Sequence, residues 1–217
     1  MQIINLESFG ISHIGLQRSN NEDVWAELFD KRFYALADGM GGHQAGEVAA
    51  KETISLLCQI MQRLPEATQE ESSLYLKEAI CETNRRLYEM AEAASHLQGM
   101  GTTLCCFLIH ENSFIHAHVG DSRIYRLRGT LTALTSDHTI KKEVHGIPYK
   151  NVITRAIGTA PIVEPEIGIS PLQDGDIYFQ DGRPAGWSRA PCEAAFHRDT
   201  TEVLFGQTSV RVVQRGS

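Results

Sequence analysis

Carboxylates and one arginine at turn-like positions are the residues of this chain best suited to chemistry. Asp38 opens the stretch Asp38-Gly39-Met40-Gly41-Gly42-His43, directly after the apolar run Phe33-Tyr34-Ala35-Leu36-Ala37. Glycines there remove side-chain bulk and let backbone carbonyls turn toward an ion or a phosphate. A structural glycine turn capped by an Asp is the alternative reading. Two further clusters weigh on the choice, Arg18-Ser19-Asn20-Asn21-Glu22-Asp23 upstream and His118-Val119-Gly120-Asp121-Ser122-Arg123 downstream. Hard carboxylate oxygens with glycine carbonyls, and no paired His or Cys ligands, suit magnesium or manganese rather than zinc or copper.

Asp38, Glu22 and Asp121 each fall at a strand end or turn, where they could converge on one edge of a sandwich. Two ions sharing Asp38 would lower the pKa of a bridging water toward neutrality. Arg18, a few residues before Glu22, has the planar fork that grips a phosphate through parallel hydrogen bonds. An activated water beside a phosphate clamp is the equipment of a phosphomonoester hydrolase, whose uncatalysed reaction is slow enough to need both. Taken singly, each residue has a plainer reading. Arg18 suits a surface ion pair, Asp23 a turn or cap, and Asp121 a type I turn. His116 and His118 alternate along one strand and share a face, which without a third ligand reads as packing or surface placement. His43 reads as a polar residue at a helix start, with proton donation to a leaving alkoxide as the alternative.

The elements that must position these residues follow from periodicity. Residues 24–29 and 32–37 flank Asp30-Lys31 and read as a hairpin, which puts Asp38 at the exit of its second strand. From Glu47 to about Leu64, apolar residues recur at three- and four-residue steps, predicting a helix that ends before Pro65. A second helix is expected from about Leu74 to Leu97, capped by Ser72 or Ser73. Strand-like runs at 103–109, 113–119, 122–127 and 131–134 predict an antiparallel meander. Residues 135–160 enclose a polar connection with Gly146 and Pro148, read as a surface loop near the site. Strand character resumes at 166–169 and 175–179. Strands, a helix pair, then more strands imply an α+β layered fold.

Bulk properties narrow the setting. The 217 residues are 42% hydrophobic and 22% charged, which suits one large domain. No run of about 18 apolar residues predicts a membrane span, and the N-terminus lacks a secretory pattern, so a cytoplasmic protein is expected. The net charge of −7, with Lys and Arg scattered, argues against nucleic acid as a partner. Five cysteines without Cys-x-x-Cys spacing suggest neither disulfides nor a thiolate zinc site.

Taken jointly, these stretches resemble the type-2C, metal-dependent serine/threonine protein phosphatases, in particular their compact bacterial branch. The residues that carry the resemblance are Arg18 with Asn21-Glu22-Asp23, Asp38-Gly39-Met40-Gly41-Gly42-His43 with Ala45-Gly46-Glu47, Gly101-Thr102-Thr103, Val119-Gly120-Asp121-Ser122-Arg123, Thr135-Ser136-Asp137-His138-Thr139 and Ile153-Thr154-Arg155-Ala156-Ile157-Gly158. The resemblance covers roughly residues 10–179. It implies two stacked antiparallel sheets flanked by helix pairs, a four-layer α/β/β/α sandwich, incomplete here at the C-terminus. It further implies two core Mn2+ or Mg2+ ions and a possible third. Asp38 would bridge the core ions, the Gly39 carbonyl would bind one, and Glu22 would hold a water of the ion shell. Arg18 would hold the substrate phosphate, and Asp121 would serve the third, weaker ion. Phosphorylated proteins, those of a bacterial serine/threonine kinase, would be the substrates, and a monomer is expected.

Three departures qualify the resemblance. Met40 stands where animal members place a histidine. Residues 140–150 are shorter than the usual mobile flap. The ending differs most: Asp181-Gly182 arrives about two residues early, and Asp199-Thr200 stands where an Asp-Asn turn is expected, with too short a segment between them for the usual helices. Asp181 and Asp199 are the candidates for the remaining ion ligands. The organisation expected is a catalytic domain over 1–179 and an atypical segment of the same domain over 180–217, degenerate or replaced. If that segment supplies ligands the chain is an active phosphatase; if not, it is a weakened or inactive module that binds phosphoprotein.

Overall fold

The computed structural model describes residues 5–12, 21–40, 44–144, 147–182 and 209–215. Two antiparallel sheets stack face to face. The six-stranded sheet has the order β11-β6-β5-β3-β2 with β4 added beside β3, and the five-stranded sheet the order β1-β13-β12-β7-β8. In chain order the strands of the first are β2 (Asp23–Leu28), β3 (Phe33–Met40), β4 (Gly101–Thr102), β5 (Leu104–His110), β6 (Ser113–Val119) and β11 (Glu166–Pro171). Those of the second are β1 (Asn5–Ile11), β7 (Arg123–Arg128), β8 (Thr130–Ala133), β12 (Ile177–Asp181) and β13 (Ser209–Arg215). A separate hairpin joins β9 (Thr139–Val144) to β10 (Ile147–Ile153).

Strand β3 shows how one sequence serves two cores. Phe33, Ala35 and Ala37 face the helices α1 (Gln44–Met61) and α2 (Gln69–Ala93), together with Leu57, Met61, Leu76, Ile80 and Leu87. Tyr34 and Leu36, on the opposite face, join Phe107, Phe114, Ile124 and Tyr178 between the sheets. A continuous apolar strand is what burial on both faces requires. Ring stacking ties the sheets together: the Phe114 and Tyr178 centroids are 3.7 Å apart at 9°. Gly10 of β1 allows a close approach, since a Cβ there would stand 2.4 Å from the Trp25 ring. The helix pair covers the six-stranded sheet; among the described residues no helix covers the other.

Several expectations are corrected. Helix α2 begins at Gln69 rather than near Leu74, and Thr68 caps it instead of Ser72 or Ser73. Its hydroxyl accepts from the Glu71 N–H while the Glu71 carboxylate accepts from the Thr68 N–H. The segment read as a surface loop contains the β9–β10 hairpin, with an irregular register between Pro148 and Lys150. Strands β1 and β13 were not anticipated, and β13 lies inside the five-stranded sheet between β1 and β12. Glu202-Val203-Leu204-Phe205, strand-like in residue type, lies outside the described residues.

Candidate metal centre

Asp23 and Asp38 face each other directly across the β2–β3 pair. Their side chains therefore share the face that, one step along the strands, carries Trp25 and Leu36 into the inter-sheet core. Like charges opposite one another repel, so this end of the sandwich suits a cation between its carboxylates. Glu22 precedes Asp23, and its carbonyl accepts from the Gly39 N–H at 3.1 Å. Gly39 and Gly46 form a close backbone crossing where β3 gives way to α1. A Cβ on Gly39 would stand 2.2 Å from the Gly46 carbonyl oxygen, and one on Gly46 3.4 Å from the Glu22 carboxyl carbon. The two glycines let these backbones meet beside the Glu22 carboxylate, and oxygen donors of this kind fit manganese or magnesium.

The backbone of Asp38 is fixed from behind. Thr103 N–H and Thr102 Oγ1 both donate to the Asp38 carbonyl, at 2.9 and 2.8 Å, and the Asp38 N–H donates to Thr103 Oγ1 at 3.1 Å. Thr102 in turn exchanges both backbone hydrogen bonds with Ile157. Gly158, at φ +85° and packed on Leu87, donates to Asn84 Oδ1 of α2 at 2.8 Å. The Gly-Thr-Thr and Ile-Thr-Arg-Ala-Ile-Gly stretches thus brace the Asp38 strand end against a helix.

Asp121 stands at the neighbouring turn, and its carboxyl is raised above the usual range, chiefly by burial and then by Asp137. A cation beside it would favour the ionised form. Arg123 donates two hydrogen bonds to Asp137, at 2.7 and 2.6 Å, while Gly120 N–H donates to His138 Nδ1 at 3.2 Å and Gly120 O accepts from the His138 N–H at 2.9 Å. The Gly-Asp-Ser-Arg and Ser-Asp-His-Thr stretches are partners.

Asp181 is 7% exposed at the end of β12. Both Asp181 and Asp23 lie close enough to the buried Cys105 thiol to help push it up, after burial itself. Tyr178 and Gln180 of β12 point between the sheets, so strand alternation starts the Asp181 side chain on the opposite face, beside its register partner Arg123. Gly182 closes on Asp23: a Cβ there would lie 3.5 Å from Asp23 Oδ1. Arg18, His43 and Asp199 lie outside the described residues. Asp23, read from the sequence as a turn or cap residue, is the addition to the site. Counting outward equally from Asp30-Lys31 pairs it with Asp38, so the hairpin itself carried the signal.

A second cluster brings His118, His138 and Glu166 together, with one ligand atom of each within 4.8 Å of the others. Its hydrogen bonds do not suit a cation. His138 Nδ1 accepts the Gly120 N–H, which leaves the ring proton on Nε2, the atom facing Glu166 Oε2 and Arg155 Nη1 at 3.4 Å each. The His118 and His138 rings stack at 4.5 Å and 23°, so their in-plane lone pairs run side by side instead of meeting. His116, on the same face, is pushed down to about 4, mainly by burial.

Comparison with known proteins bears on this geometry. Residues 9–178 match the model of the protein phosphatase 2C family. The serine/threonine phosphatase stp of Listeria monocytogenes is 34% identical over 178 residues, covering 75% of this chain and 71% of that protein. The solved serine/threonine phosphatase of S. agalactiae superposes with a TM-score of 0.84 at 30% identity, covering 96% of this chain and 99% of that one. The catalytic domain of the serine/threonine protein phosphatase PstP, solved with two manganese ions, superposes with a TM-score of 0.80 at 29% identity, covering 99% and 100%.

Proposed function

The chain belongs to the protein phosphatase 2C family, and from that premise we propose that it hydrolyses phosphoserine and phosphothreonine esters on proteins with manganese or magnesium at the acidic end of its sandwich. The observation that carries this is the Asp23–Asp38 cross-strand pair with Glu22 against the Gly39–Gly46 crossing. Cations held there lower the pKa of a coordinated water toward neutrality and offset phosphate charge.

The chain's own groups set the geometry. Asp38 and Asp23 supply carboxylate oxygens from one face, Glu22 from the adjoining turn, and the Gly39 carbonyl a neutral donor. Asp121 supplies a further carboxylate from the next turn. Arg18 orients the phosphate through its planar fork. Met40 offers no proton, so the leaving alkoxide takes one from solvent. Asp181 and Asp199 are the further ligand candidates, both in the atypical 180–217 segment that continues the catalytic domain of 1–179. The partners are phosphoproteins, those of a bacterial serine/threonine kinase, met by a monomer in the cytoplasm. No helix among the described residues is long and apolar enough to cross a membrane.

Turnover of p-nitrophenyl phosphate and of a phosphothreonine peptide, with and without Mn2+, tests the assignment. Mn2+-dependent release of phosphate from both is expected. Phosphopeptide binding without turnover would instead support the inactive phosphoprotein-binding module.

A further inference from the structure

The hydroxyls of Thr103 and Ser122 lie 2.6 Å apart, and both residues are only 1% exposed. Thr103 Oγ1 also receives the Asp38 N–H at 3.1 Å, and Ser122 directly follows Asp121. The pair therefore forms a buried bridge from the backbone of one candidate ligand to the turn that carries another. Packing reinforces it. Gly120, at φ +103°, sits so close to Thr103 that a Cβ would stand 2.7 Å from Thr103 Cγ2. His138 holds the same glycine from its other side through both backbone groups. The turn cannot shift without moving Thr103, and Thr103 cannot shift without moving Asp38.

We propose that the Thr103–Ser122 hydroxyl pair is a positioning device that locks the Asp38 and Asp121 stations together, so that cations at the two are taken up interdependently. The proposal rests on the assignment of Asp38 and Asp121 as ion ligands. A hydrogen bond one step behind a ligand sets where its oxygens point, and removing such a partner weakens metal binding by about 10- to 100-fold. A buried hydroxyl pair is sensitive in this way, because deleting one member leaves the other without a water to replace it.

Mn2+ titration of the whole chain by calorimetry, with near-UV circular dichroism as the check on folding, provides the test. Thr103→Val keeps the side-chain shape, loses the hydroxyl, and is expected to weaken both the tight and the weak binding steps by about 10- to 100-fold. Thr103→Ser restores the hydroxyl and is expected within about threefold of the parent, which a purely packing role for the methyl group would not produce. Asp121→Asn is expected to weaken chiefly the weak step. A folded Thr103→Val whose titration matches the parent, or which loses only one step, overturns the proposal. Should Thr103→Val not fold, Ser122→Ala carries the test: a joint loss at both steps supports the device, and an unchanged titration overturns it. Asp38→Asn separates the levels. If it binds Mn2+ as the parent does, the ion site itself is misassigned; if it abolishes binding while Thr103→Val changes nothing, only the bridge is wrong.

Discussion

The acidic end of the sandwich and the histidine cluster beside β11 both gather potential metal ligands, yet they are built in opposite ways. At the acidic end, Asp23 and Asp38 share one face, and glycines at 39 and 46 let the backbone close against Glu22. In the histidine cluster, the His118 Nε2–H donates to Ser136 O at 2.7 Å and His138 is committed to Gly120 and Glu166, so hydrogen bonds already spend what a metal would need. Closeness of ligand atoms does not make a metal site. What matters is whether the local fold gathers like charge for a cation to offset.

That contrast can be broken most directly at Asp38. Asp38→Ala should reduce Mn2+-dependent turnover at least about a thousandfold, because it deletes the carboxylate that faces Asp23. Steady-state assays over a range of Mn2+ concentrations would check it, and retained activity would remove the acidic end from the mechanism.

The histidine side predicts an acid effect on stability instead. His116 is 8% exposed, and its Nδ1 is buried without a hydrogen-bond partner among the described residues. Burial pushes it down to about 4 from the ordinary 6.5. The unfolded chain therefore takes up a proton near pH 6.5 while the folded one does not until about pH 4. Stability supplied by the neutral ring is full above pH 6.5 and falls as pH drops through that window, by up to about 3 kcal/mol. Urea unfolding of His116→Gln across pH 4 to 7 should show a shallower decline than the parent; an equal slope would assign the acid sensitivity elsewhere.

His118→Ala should cost about 2 kcal/mol of stability, from the lost ring stack and the hydrogen bond to Ser136, while Mn2+ affinity stays within about threefold. Denaturant titration and metal binding measured on the same sample would expose any departure. Glu166→Gln sharpens the comparison with the smallest effect. Its side chain is 53% exposed and its bond to His138 is long at 3.4 Å, so stability should change by less than about 1 kcal/mol. Zn2+ affinity should also be unchanged; tight zinc binding that this variant abolishes would turn the histidine cluster into a second metal site.

Local pattern made much of this legible. The β2–β3 hairpin, both helices and the β5–β8 meander follow from turn residues and periodicity, since their partners are near in sequence. The start of α2 escaped because Gln69-Glu70-Glu71 makes an exposed polar turn, although Thr68 with Glu71 spells a capping box. The β9–β10 hairpin was hidden by Pro148, which reads as a loop residue. Strands β1 and β13 pair across nearly the whole chain, and no local signal specifies such a pairing. Within the site, carboxylates at turns were readable as chemistry. The Thr103–Ser122 bridge was not, because only the tertiary fold brings two ordinary hydroxyls together.

Cation binding among the carboxylates of Glu22, Asp23 and Asp38 can be measured directly. Electron paramagnetic resonance of free Mn2+, titrated into the parent chain, Asp38→Asn and Glu166→Gln, reads it without relying on turnover. Saturable Mn2+ uptake is expected in the parent and Glu166→Gln, and its loss in Asp38→Asn. Uptake that survives in Asp38→Asn and disappears in Glu166→Gln would contradict it.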